Sequence, residues 1–135
     1  MVDPTGRGEH TEPDTLYETV GWMPFFERLV DAFYDRVEQD AVLLALYPDP
    51  HDLGSARMRL RLFLAQYWGG PSAYSQMRGH PRLRMRHVPF AIGDEERDRW
   101  LAAMHGAIDD LDPPAPIGGA LRDYFSMAAD AMRNR

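Results

Sequence analysis

The sequence predicts an all-α domain, and three observations carry that expectation. Residues branched at Cβ, which fill strands, are scarce: Val, Ile and Thr together number 13 in 135. Four long segments repeat apolar residues at the 3.6-residue period of a helix. Each is bounded by Pro, Gly or Asp where those residues start or stop helices.

The first segment, about 22–39, places Phe26, Leu29, Val30, Phe33, Tyr34 and Val37 on one side, with Pro24 suited to a first turn. A short turn of helix follows at 41–46 and stops at Tyr47-Pro48, because the residue before proline is pushed out of the helical region. The second long segment, 52–68, alternates arginine with apolar residues and superficially reads as a strand. It holds no β-branched residue and runs about seventeen residues before Gly69-Gly70, too long for an ordinary strand. It is therefore a predicted helix, with Ala56, Leu60, Phe63, Leu64 and Tyr67 on one face.

The third segment runs from about 94 to 111, with Asp94 as the expected N-cap and Glu95 and Glu96 at the positive helix end. Its stripe is Trp100, Leu101, Met104, Ile108 and Leu111. After the break "DPPAP" at 112–116, the fourth segment spans about 118–133 with Leu121, Tyr124, Phe125, Ala128 and Met132. Residues 1–14, polar and rich in Pro, Gly and acid, read as a flexible tail before a single domain at 15–135. A cytoplasmic location is the default expectation, since no apolar run is long enough for a membrane span and the start has no signal-peptide core.

With 15 basic and 21 acidic residues the chain carries a formal charge of −6, which argues against a general nucleic-acid binder. The absence of cysteine excludes disulfides, thiolate metal sites and cysteine nucleophiles. Against this background one stretch stands out. "RGHPRLRMRHVPF", residues 78–90, packs four arginines and two histidines into thirteen residues. It lies in the irregular 69–93 segment, and long irregular segments inside small domains are usually functional. Zinc needs three or four converging ligands, and His80 and His87 stand seven apart with no carboxylate beside them. No G-x-S-x-G nucleophile motif is present. Haem iron needs only one neutral imidazole from the protein, and the anionic propionates of haem suit guanidinium groups such as Arg86 and Arg59.

The strings "FYDRVEQD", "LLALYP", "RLRLFLAQYWGGPSAYSQMRGHPRLRMRHVPF" and "ERDRWLAAMH" resemble the truncated haemoglobins of group II, the haemoglobin O type, over about residues 15–132. The resemblance implies a two-over-two helical sandwich around haem b, with an extended loop replacing most of the proximal helix. It implies His87 as the iron ligand, Pro89 as the stop of a short ligand-bearing helix, and Phe90 against the porphyrin. On the opposite face it implies Tyr34, Tyr47 and Trp100, with Ala56, Leu60 and Phe63 alongside; Ala56 takes the place where ordinary globins carry a distal histidine. Three polar aromatics converging on an apolar pocket suit a partly negative ligand such as O2.

The function implied is reversible binding of O2, CO, NO and similar ligands, spanning oxygen transport, nitric-oxide oxidation and peroxidase-like turnover. The corresponding partners are an electron-donating reductase and a second copy of the chain as homodimer. The alternative reading is a non-haem module whose Arg-rich loop and "YWGGPSAY" aromatics grip an anionic ligand or single-stranded nucleic acid; the charge of −6 counts against it.

Overall fold

A computed structural model describes residues 15–79, 82–87 and 90–134, and all regular structure among them is helical. The expected tail at 1–14, His80 and the helix-stopping Pro89 lie outside the described residues. The helices are α1 (Leu16–Thr19), α2 (Met23–Val37), α3 (Ala41–Leu44), α4 (Gly54–Tyr67), α5 (Ala73–Arg78), α6 (Leu83–His87), α7 (Asp94–Leu111) and α8 (Ala115–Met132). No described helix is long and apolar enough to cross a membrane.

Local chemistry accounts for most boundaries. Pro24 sits in the first turn of α2, and the anticipated stripe is buried: Phe26, Leu29, Val30, Phe33 and Val37 completely, Tyr34 nearly so. Asp40 caps α3, its carboxylate accepting from the Val42 and Leu43 N–H groups at 3.0 and 3.2 Å. The same carboxylate accepts from Arg99 of α7 at 3.2 Å, which fixes α3 against that helix.

Three details differ from expectation. The N-cap of α7 is Gly93 rather than Asp94: the Glu96 carboxylate reaches back to the Gly93 N–H at 2.8 Å, while Asp94 turns to Arg133 beyond α8. Helix α8 begins at Ala115, because Pro116 in its first turn has no N–H that the helix needs. On α4 the buried face includes Ala65, while Tyr67 is 51% exposed, its ring lying 4.3 Å from that of Tyr124. Helices α1 and α5 were not anticipated.

Helix α2 packs on α4, α7 packs on α8, and α2 crosses α7, giving two layers of two long helices. A run of rings bridges them. Phe26 stacks between Tyr17 and Trp68 at 5.9 and 6.1 Å, and Trp68 meets Phe125 at 5.9 Å. Trp100 then lies 5.8 Å from Phe125 and 5.2 Å from Phe33. Each buried ring removes a large apolar area from water, about 1.5–3 kcal/mol per side chain, and each well-oriented pair adds about 0.5–1.5 kcal/mol.

The exit from α4 depends on close backbone approach. Gly69 turns through a left-handed φ of 98°, and the Gly70 N–H donates to the Ala65 carbonyl at 2.7 Å. A Cβ on Gly70 would stand 2.7 Å from the Tyr17 ring and 2.8 Å from that carbonyl, whereas one on Gly119 in α8 would meet nothing within 4 Å. Gly70→Ala is therefore expected to cost about 1–3 kcal/mol by overpacking. Gly119→Ala should stabilise the fold by about 0.5–1 kcal/mol through helix propensity. Denaturant midpoints at constant m-value measure both; a neutral Gly70→Ala would refute the close-approach argument.

Candidate functional site

Between the two helix layers and α6 lies a cavity of about 360 Å³. The site residues expected from the sequence all border it: Tyr34, Tyr47, Ala56, Arg59, Leu60, Phe63, Arg86, His87, Phe90 and Trp100. Its walls also include residues read from the sequence only as core, among them Tyr124, Ala128 and Met132 of α8. Tyr74 and Ile92 border it too and carried no helical signal, because they stand in the irregular 69–93 segment.

Two groups of side chains matter chemically. In the first, Tyr34 meets Tyr47 with rings crossed at 70° and 5.6 Å apart, and Phe33 bridges Tyr34 to Trp100. Burial raises the pKa of both phenols, and their mutual side-chain contact lowers that of Tyr34 and raises that of Tyr47 further. Helix α2 supplies Tyr34, the turn after α3 supplies Tyr47, and α7 supplies Trp100, so the Asp40–Arg99 contact ties the segment bearing Tyr47 to the helix bearing Trp100.

Arg57 lies over the Tyr34 ring, 5.5 Å from its centroid. It is held there by Asp31 at 3.0 Å, Glu38 at 3.2 Å and Asp35 at 3.4 Å. Burial would lower its pKa, and these carboxylates more than reverse that.

The second group is His87 at the end of α6 and Phe90 beyond it, rings 6.2 Å apart in an edge arrangement. His87 is the only histidine bordering the cavity among the described residues. Charge at the border is asymmetric: Arg59, Arg78, Arg86 and Arg97 face one acid, Glu96, which is engaged by the Gly93 N–H. Arg59 donates to Ser55 Oγ at 2.7 Å, Arg86 to the Arg78 carbonyl at 2.9 Å, and Arg97 to Asp98 and Asp130 at 2.6 Å each. An acidic protein thus gathers cationic groups around this apolar hollow. The "YWGGPSAY" aromatics do not form an outer stacking platform: Tyr74 is buried and Trp68 half-buried among core rings, leaving Tyr67 exposed.

The bacterial-like globin family model matches residues 15–134. The group 2 truncated hemoglobin YjbI of Bacillus subtilis (strain 168) is 38% identical over 109 residues, 81% of this chain and 77% of that protein. Among solved structures, a thermostable hemoglobin from the actinobacterium Thermobifida fusca superposes with a TM-score of 0.86 at 57% identity, covering 89% of this chain and 97% of its own. The truncated oxygen-avid haemoglobin from Bacillus subtilis superposes with a TM-score of 0.84 at 36% identity, covering 90% and 100%.

The cavity phenols give the protein an alkaline signature. Burial, assisted by the nearby Tyr67, pushes Tyr124 up to about 12. Burial also raises Tyr34 and, together with its Tyr34 contacts, Tyr47. A phenol that keeps its proton longer in the folded chain contributes stability that is full below the unfolded value of 10.0 and lost as pH rises to the folded one. Unfolding free energy is therefore expected to fall from about pH 10 to about pH 12, with a shallower fall in Tyr124→Phe. Phenolate absorbance and denaturant titration at each pH measure this, and an unchanged slope in the variant would contradict it.

Proposed function

The chain belongs to the bacterial-like globin family, as a truncated haemoglobin of group II, and from that premise we propose that it holds haem b on His87 and binds O2 and other diatomic ligands across the cavity. The observation that carries this reading is an apolar cavity bordered, among the described residues, by one histidine, by hydroxyl and indole donors, and by arginines.

The residues fit haem by their chemistry. The His87 imidazole offers a nitrogen ligand and Phe90 an apolar wall beside it. Ala56, Leu60 and Phe63 present apolar surface from α4, as a porphyrin face requires. Arg59 and Arg86 supply the cationic border for two propionates. Haem, when bound through His87, would supply an iron able to bind a diatomic ligand.

This chain's own part is to retain that ligand. The Trp100 indole N–H can only donate, and the Tyr34 and Tyr47 hydroxyls, which border the same cavity, can each donate or accept. One or two such bonds to the partial negative charge of O2, at about 1 kcal/mol each, slow release roughly tenfold per 1.4 kcal/mol. Slow release favours holding O2 for redox chemistry, such as nitric-oxide oxidation or peroxide turnover with an external reductase, over bulk transport. The oxygen-avid relative from Bacillus subtilis supports the same direction. A cytoplasmic setting, where reductants are at hand, accords with it.

A Soret band after haem supplementation is the primary test; a chain that stays colourless overturns the reading. His87→Ala should then lose tight haem retention, and its melting temperature should fall because a cofactor stabilises the state that binds it. A wild-type ferrous spectrum and stability in that variant would move the ligand role elsewhere.

Trp100→Phe keeps a ring between Phe33 and Phe125 but removes the donor. Its O2 dissociation should quicken about tenfold or more, with CO, which carries less charge on its outer atom, changing less. A packing defect would disturb both ligands alike. Stopped-flow release of each ligand distinguishes the cases, and equal shifts would reduce Trp100 to a core aromatic.

A further inference from the structure

We infer that Asn134 is a positioning residue for His87, clamping the loop that follows α6 and so setting where the imidazole stands in the cavity. The inference rests on the proposed haem ligation by His87. Helix α6 has five residues, Leu83–His87, too few to hold its own conformation. Something outside it must fix the histidine.

Asn134, just past α8, makes four hydrogen bonds to that region. Its backbone N–H donates to the Ile92 carbonyl at 2.8 Å, and its Oδ1 accepts from the Ile92 N–H at 3.0 Å. Its Nδ2 donates to the Phe90 carbonyl at 2.8 Å and, more weakly, to the His87 carbonyl at 3.4 Å. The Phe90 N–H donates to that same His87 carbonyl at 3.0 Å. Backbone N–H, side-chain acceptor and side-chain donor are thus all committed to one segment.

Both ends of the clamp reach the cavity, since Ile92 and Phe90 border it and the Phe90 ring contacts His87. The neighbouring Arg133 pairs instead with Asp94 and Asp130. It anchors the end of α8, and among the described residues no hydrogen bond joins its side chain to the His87, Phe90 or Ile92 carbonyl. An asparagine is required by the chemistry: aspartate would keep the acceptor but place a carboxylate oxygen against two carbonyls, and alanine would keep only the backbone bond.

Three variants of the full chain separate the possibilities: Asn134→Ala, Asn134→Asp and Arg133→Ala. The readouts are the iron–histidine stretching frequency of the ferrous haem protein, the rate of haem loss to an apoglobin acceptor, and amide hydrogen exchange at Ile92 in the haem-free chain. Asn134→Ala is expected to shift the stretch, speed haem loss about tenfold, a change worth about 1.4 kcal/mol, and expose the Ile92 amide. Asn134→Asp should keep that amide protected, because the acceptor survives, yet still shift the stretch. Arg133→Ala should leave stretch and haem loss unchanged.

An unshifted stretch in Asn134→Ala, or an equal shift in Arg133→Ala, would overturn the positioning role. If the wild-type chain takes up no haem, the proposed ligation fails instead. The exchange measurement still decides the clamp, which is refuted if Ile92 is equally protected in Asn134→Ala.

Discussion

The structure turns on the crossing of α2 and α7, where the Phe33 ring meets that of Trp100 at 5.2 Å. Phe33 is wholly buried and belongs to the core; Trp100 is half-buried and borders the cavity. The same contact therefore closes the hydrophobic interior and makes the wall of the site. Each long helix divides its apolar stripe in the same way. Met104 and Ile108 of α7 and Leu121 of α8 fill the interior, while Trp100, Tyr124, Phe125, Ala128 and Met132 border the hollow. A protein that keeps room for a large flat ligand must stiffen the walls around it, and linked aromatic rings, which interdigitate with few rotamers, do so better than aliphatic side chains.

Charge performs a different task. The ion pairs, Arg36 with Asp110, Arg57 with Asp31, Asp35 and Glu38, Arg97 with Asp98 and Asp130, and Arg99 with Asp40 and Glu95, lie at or near the surface. Such pairs are individually worth about 0–1 kcal/mol. Their value here is placement. Arg57 sits over Tyr34, and Arg99 joins the cap of α3 to α7 beside Trp100. The acidic excess supplies the carboxylates that hold these arginines, while the cavity border itself includes a single acid, Glu96, among the described residues.

The four long helices were legible because their apolar stripes run for several turns, and the residues named on α2 are buried almost without exception. Helices α1 and α5, of four and six residues, are too short for any period to register. The short helix bearing His87 came from family resemblance alone, since an Arg-rich run shows no amphipathic face. Tyr67 fits the stripe of α4 by spacing yet stays half exposed, its ring lying against those of Tyr124 and Trp68 at the edge of the core. The candidate site was legible as residue types, with all ten expected residues around one cavity. What could not be read was its support. A single asparagine near the end of a helix carries no pattern, and the carbonyls it holds are chosen by the path of a loop.

That path also has a temporal side. Asn134 stands 47 positions after His87 along the chain. At ribosomal rates of about 5–20 residues per second, the histidine and its loop leave the assembly line several seconds before their clamp is made. The His87 side of the cavity thus lacks its C-terminal contacts while α2 and α4 already have each other to pack against. Completing that side requires a long-range contact, which chain topology rather than helix formation must bring about.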